Sequence, residues 1–342
     1  MFLLLACTTT DKYIADDLDP QETAVEADAD TDADSDSDSD SDADADTDAD
    51  SDADADTDVP DPKVVRFIAM GDGGEGNDDQ KAVAAVVKDV CAAQGCDFVL
   101  YLGDNFYNDG VSDVNDSQFE SKFEVPYKDL NYTFYVVLGN HDYGELSLLE
   151  YKADIEVDYT NYSTKWHMPD RHYQWSKEHV DFFALDTNEL MIWNRDTQYD
   201  WMAAALAAST GDWKIALGHH PYHSNGAHGD AGSYEGLEWL PFANGANVKD
   251  FMDDNICGQV DVYLCGHDHN RQWIERKSDC DTELIVTGAA AKTKDFRHEG
   301  NATLFADDQI EGFLWVEIVD NEFTGQFWNK DGQKEFEHSF TK

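Results

Sequence analysis

The chain has 342 residues, of which 73 are Asp or Glu and only 23 are Lys or Arg, for a formal net charge of −50. A surface of that sign repels phosphate backbones, which excludes sequence-independent nucleic-acid binding. No run of about 18 apolar residues is present, so nothing in the sequence reads as a membrane-spanning helix.

The acid is concentrated at the start. Residues 1–60 carry 22 Asp/Glu against one Lys, a net of −21, and the remaining 282 carry 51 against 22, a net of −29. From Asp28 to Asp58 an Asp stands at every even position, sixteen in all, separated by Ala, Ser and Thr. Period two is a strand pattern, but the intervening residues are too small to bury a face and neighbouring carboxylates repel. An extended, solvated linker is expected. A calcium-binding tract is the alternative, disfavoured because no Gly turn gathers the carboxylates. Ahead of it, Leu4-Leu5-Ala6-Cys7 resembles the lipobox of bacterial lipoproteins, which implies a lipid anchor on Cys7. A signal peptide needs a basic n-region and an apolar run of about 7–15 residues. Here six residues precede Cys7 and none is basic, so the expectation is a start upstream of Met1.

After Pro62 the pattern becomes α/β, with aromatic content enough for one large domain or two small ones. Val64–Met70 is an apolar run ending in Gly71-Asp72-Gly73-Gly74. Asn77 with Gln80 three residues on predicts a capped helix, carried by Val83, Val86, Val87, Val90 and Cys91 and ended by Gly95. Four more predicted strands follow. Phe98–Leu102 runs into Gly103-Asp104-Asn105-Phe106-Tyr107, and Phe134–Leu138 into Gly139-Asn140-His141-Asp142. Lys214–Leu217 runs into Gly218-His219-His220-Pro221, and Val260–Cys265 into Gly266-His267-Asp268-His269.

Each strand thus ends in a Gly followed by Asp, Asn or His. Open α/β sheets bind ligands beyond the carboxyl ends of their strands, and Gly lets the backbone turn sharply there. One such motif is an ordinary capped turn. Five that collect only oxygen and nitrogen donors point to a metal site.

Cys91 and Cys96 are close enough for a small disulfide loop, and Cys257 with Cys280 can form a second. Cys265, in an apolar run, reads as a small buried hydrophobe. Four paired cysteines suit an exported protein, periplasmic, surface-bound or secreted; five free thiols in a cytosolic enzyme is the alternative.

The order GDGG, GDNFY, GNHD, GHHP, GHDH resembles the metallophosphoesterase superfamily. Tyr107, three residues after Asp104, makes the chain similar to the purple acid phosphatases, and to their small tartrate-resistant, mammalian-type branch. Asn115-Asp116 with Phe119 and Phe123, Asp186-Thr187, and Leu264 to Asn270 match too. The resemblance implies a single catalytic domain over 63–342, expected as a monomer. Its fold would be a four-layer α/β/β/α sandwich, two mixed sheets flanked by helices, with a binuclear metal site at the strand ends.

It further implies Fe(III) held by Asp72, Asp104, Tyr107 and His269, and Fe(II), Zn(II) or Mn(II) held by Asp104, Asn140, His219 and His267. The segment holding His267 and His269 is taken as extended, the two rings serving different metals. Phosphomonoesters would be hydrolysed by direct attack of a metal-bound hydroxide, with His228 as proton donor and His141 as phosphate binder or donor. With Asp72, Asp104, phenolate Tyr107 and hydroxide counted, an M(III)M(II) centre keeps about one positive charge, which draws in a phosphate dianion.

Asn105, His220 and His223 are candidate substrate-binding residues. His167, His172, His179, His298 and His338 read as structural or surface, and Trp166, Trp175, Trp193, Trp201 and Trp213 as core. Asp186 to Gln198 is expected to be a shortened loop near the site. Two other readings remain open. One is a phosphodiesterase or nucleotidase with two divalent ions, the other an inactive surface binding protein on the same scaffold.

An acidic, Lys-poor surface repels itself, and salt screens that repulsion over about 8 Å at 0.15 M. The melting temperature and activity are therefore expected to hold or rise as NaCl increases from about 0.05 to 1 M. Equal or higher stability in salt-free buffer would contradict this.

Overall fold

The computed structural model describes residues 61–144, 146–192, 195–236 and 244–342. Cys7, the Asp-rich tract and Trp193 lie outside the described residues.

Fourteen strands form among the described residues. The first seven are β1 Val64–Met70, β2 Phe98–Leu102, β3 Thr133–Val137, β4 Trp166–His167, β5 Tyr173–Lys177, β6 Val180–Ala184 and β7 Trp213–Leu217. They are followed by β8 Val262–Cys265, β9 Arg271–Ile274, β10 Glu283–Thr287, β11 Thr303–Asp307, β12 Gly312–Val319, β13 Glu322–Asn329 and β14 Lys334–Thr341. Two mixed sheets result, ordered β14-β13-β12-β1-β2-β3-β4 and β11-β9-β10-β8-β7-β6-β5. The centre of each is parallel: β1 to β4 in one, and β6, β7, β8 and β10 in the other. β2 and β8 are covered on both faces, which is why they read as unbroken apolar runs. Every residue of β2 and of β8 is buried.

The two sheets meet over aromatic rings. Phe67 of β1 and Phe98 of β2 both pack edge-on against Phe182 of β6, with centroids 5.7 and 5.4 Å apart. Trp213 of β7 packs on Phe323 of β13 at 6.0 Å. Outside the second sheet, Met202 of helix Arg195–Ala208 and Val248, Phe251 and Met252 of helix Ala246–Asn255 join Phe183 and Tyr263 in a further apolar cluster. Helix Asp78–Gln94 buries Val83, Val87 and Val90 on the first sheet's side. The order is the expected helix, sheet, sheet, helix.

That helix starts with Gln80 N–H donating to Asn77 Oδ1 at 2.8 Å, while the Gln80 amide oxygen accepts from Gly76 N at 2.7 Å rather than from Asn77 N. Gly95 stops it at φ +86°. Trp166 and Trp213 are buried, Trp175 stacks on Tyr135 at 4.1 Å, and Trp201 is half-buried beside His172. Cys91 is bonded to Cys96 and Cys257 to Cys280, and Cys265 is free and buried. One expectation is corrected. The stretch 186–198 is not a loop, because Thr187–Ile192 and the start of Arg195–Ala208 are helical. Asp186 initiates the first of these, its carboxylate accepting from Glu189 N at 2.9 Å.

Candidate metal centre

The chain leaves β1, β2, β3, β7 and β8 at glycines, and the turns that follow are stitched to one another and to the neighbouring strands β8 and β10. Gly71 N donates to Thr287 O, Asp72 N to Gly103 O, Gly218 N to Leu264 O and Gly266 N to His219 O. Two glycines are there for close approach. A Cβ on Gly103, at φ +84°, would stand 2.6 Å from His219 Nδ1, and one on Gly139 would stand 2.2 Å from Asp104 N. Three side chains at these ends carry left-handed backbone: Asp72 at φ 61°, Asp104 at φ 53° and His267 at φ 70°. Non-glycine residues rarely adopt that conformation, and it concentrates at functional sites.

The turns bring seven side chains together. Tyr107 Oη lies 2.7 Å from Asp72 Oδ1, 2.8 Å from Asp104 Oδ2 and 3.1 Å from His269 Nε2. His269 Nε2 is 3.4 Å from Asp72 Oδ1. On the other side of Asp104, His219 Nε2 lies 3.4 Å from the same Oδ2, 3.2 Å from Asn140 Oδ1 and 3.2 Å from His267 Nδ1. Asp72, Asp104 and His269 each offer a donor atom within 4.8 Å of the others, a spacing that could hold a metal ion. His219 Nδ1 is engaged by Leu102 O at 2.8 Å, which turns Nε2 toward the cluster. The segment 266–269 is not extended as expected. In an extended segment residues two apart share a face, so it is the turn at His267 that separates the two rings.

Electrostatics favour a cation here. Burial, then the charges of Asp104 and Asp72, push the Tyr107 phenol well up. Burial opposes ionisation of Asp104, yet the charges of His219 and His141 and their hydrogen bonds hold it well below the usual carboxylate range. Burial likewise opposes protonation of His219, and the Asp104 and Asp72 carboxylates outweigh it, pushing the imidazole up to about 10. Buried carboxylates gathered this closely are compensated by positive charge.

The remaining candidates divide. His141 is half-buried beside the Tyr107 ring, 4.7 Å between centroids, with Nδ1 engaged by Asn108 O at 2.7 Å. His228 packs 4.1 Å from the His267 ring, donates its backbone N–H to Asp268 and pairs through Nδ1 with Glu235. Three further candidates have close neighbours of their own. Asn105 is enclosed and turned inward, its amide nitrogen on Val137 O, Asp142 and Glu156 at 3.0 Å each. His220 is buried behind the cluster, 4.4 Å from the His267 ring, with Nδ1 on Thr187 Oγ1. His223 lies between two carboxylates, 3.5 Å from both Asp230 and Asp279.

The sequence profile of the calcineurin-like phosphoesterases matches residues 65–271. The chain belongs to that family. Tartrate-resistant acid phosphatase type 5 of Sus scrofa is 29% identical over 317 residues, which is 80% of this chain and 86% of its own. Purple acid phosphatase 7 of Arabidopsis thaliana is 31% identical over 250 residues, 66% of this chain and 70% of its own. Among solved structures, the purple acid phosphatase PPD1 of yellow lupin superposes with a TM-score of 0.61 at 16% identity, over 82% of this chain and 54% of its own. GAP50, the anchor in the inner membrane complex of Plasmodium, gives 0.63 at 22% identity, over 82% and 89%. At those identities the two structures establish a shared fold.

Within this phosphoesterase, sequence reasoning missed the residues that brace the cluster. Asp142 accepts from the backbone N–H groups of Gly139, Asn105 and Phe106. Its place in GNHD was the one available signal. Asp268 carried the same kind of signal in GHDH, whereas Glu156 and Glu235 stand in none of the five motifs.

Gly139→Ala would press a Cβ 2.3 Å from Asp104 Oδ1 as well as on its nitrogen. The expected result is roughly 10–100-fold weaker metal retention, read by elemental analysis after graded chelation, with the far-UV spectrum kept. Unchanged retention would show that Asp104 does not hold metal.

Proposed function

We propose that this phosphoesterase is a binuclear-metal acid phosphatase acting on phosphomonoesters. The observation that carries the reading is the Tyr107 hydroxyl within 3.1 Å of donors on Asp72, Asp104 and His269. A phenolate beside two carboxylates is a hard, anionic set suited to a trivalent ion, so Asp72, Asp104, Tyr107 and His269 would hold Fe(III), and Asp104, Asn140, His219 and His267 would hold Fe(II), Zn(II) or Mn(II). When bound, the ions lower the pKa of water and withdraw charge from the phosphoryl group, which makes hydrolysis feasible below neutral pH.

The chain's own residues supply the rest. Asn108 O engages His141 Nδ1 and so leaves Nε2 for a phosphoryl oxygen. Glu235 engages His228 Nδ1, which leaves Nε2 as the atom that serves the leaving oxygen. Burial, then the neighbouring imidazoles His219 and His228, keeps His220 neutral, a dry packing surface behind His267. A phosphodiesterase with two divalent ions would leave the phenolate without its preferred partner, and the complete donor set weighs against an inactive scaffold.

Residues 63–342 are proposed to work as one monomeric catalytic domain after an Asp-rich linker. Two disulfides support an oxidising, exported setting, and the Leu4–Cys7 pattern supports lipid attachment at Cys7.

Purified protein is expected to carry two metal ions, hydrolyse p-nitrophenyl phosphate below neutral pH and show a visible charge-transfer band that Tyr107→Phe abolishes. Two metals with no turnover of any phosphomonoester would overturn the assignment. His228→Asn is expected to lower kcat roughly 10²-fold on alkyl phosphates, whose leaving group needs a proton, and to leave p-nitrophenyl phosphate nearly unaffected. Equal losses on both would remove His228 from proton transfer.

A further inference from the structure

Among the described residues, Lys292 is the cation placed on the face of the Tyr107 ring, a proposed ligand. Its Nζ stands 3.2 Å from the centroid of the Tyr107 ring, well inside the roughly 6 Å that defines a cation–π contact. Backbone bonds hold it there. Ala290 N donates to Gly71 O and Lys294 N to His269 O, so the segment is fastened on either side of Lys292 to the turns that carry Asp72 and His269. Asn77 Nδ2 adds a bond to Ala291 O at 2.8 Å. The ammonium is capped by Glu75 at 2.6 Å. On the backbone side, Lys122 Nζ reaches Tyr107 O. In a chain with 23 cations against 73 acids, this is a specific commitment of positive charge.

We infer that Lys292 is a positioning residue that tunes Tyr107 as a metal ligand, holding negative charge on the ring and weakening its donation to the trivalent ion. The inference rests on the ligand assignment proposed above. A positive charge over the ring stabilises the phenolate electron pair. Moving an electron from ring to metal removes the negative charge that the ammonium stabilises, so the optical transition costs more with Lys292 present. The same weakening of donation, and the added positive charge, favour the reduced metal. Lys292 therefore raises both the charge-transfer energy and the reduction potential, and Glu75 moderates both.

The test uses the metal-loaded protein, its visible spectrum and a redox titration. Lys292→Met is expected to move the band to longer wavelength and lower the reduction potential, and Lys292→Arg to bring both back toward the parent. Glu75→Gln, which leaves the ammonium unneutralised, is expected to move both the opposite way. Opposite shifts from the two partners of one ion pair are not produced by loosened packing. Glu75→Gln also keeps the inference testable should Lys292→Met fail to fold. A parent band that neither variant moves, or that both move in the same direction, overturns the inference and leaves the phosphatase assignment standing. A parent with two metals and no band overturns the Tyr107 assignment and the inference with it.

Discussion

Asp104 is a carboxylate with almost no solvent, and the strand ends are arranged around it. Oδ1 takes the His141 backbone N–H at 2.9 Å, and Oδ2 faces Tyr107 on one side and His219 on the other. Burying a charge costs several kcal/mol unless partners replace its water. Here the partners come from β2's own turn, from the turn after β3 and, across the seam, from the turn after β7. The first sheet could not compensate this group without the second. Left-handed backbone at Asp72, Asp104 and His267 is the strain accepted for that convergence.

Behind Asp104 lies a second acidic layer that shapes rather than contacts. Asp142 spans the turns after β2 and β3 by accepting three backbone N–H groups, and so sets the spacing between Asp104 and Asn140. Burial, then the charge of Asp104, pushes Asp142 up to about 7. Burial, then the charge of Asp142, pushes Glu156 up as well. Asn105 bridges the two through its amide nitrogen. Its inward turn thus has a structural purpose, the joining of helix Glu150–Tyr159 to the turn that carries Tyr107.

Charge operates on two scales in this molecule. The body is acidic throughout, and most of its lysines and arginines are committed to ion pairs, such as Lys330 with Asp79 and Glu311, or Arg271 with Asp307 and Glu335. At the cluster the balance is local, set by charges within a few ångströms. Screening separates the two scales, because surface charges beyond a Debye length contribute little to a partly buried site. An acidic protein can on that account still present an anion-binding pocket.

The sequence alone determined five of the parallel strands, β1, β2, β3, β7 and β8, with the capped first helix and the turns where chemistry collects. Each is local: strands buried on both faces must be apolar runs, and a glycine after such a run marks a sharp turn whatever surrounds it. It did not determine which way neighbouring residues in those turns face. Asp104 and Asn105 are adjacent, yet one meets the cluster and the other the interior; His219 and His220 divide likewise. Backbone dihedrals and packing across the seam make that choice, and they exist only once both sheets are in place. Lys292 is the extreme case, since nothing near it in the chain announces Tyr107, and only the docking of β10 beside β8 carries it over the ring.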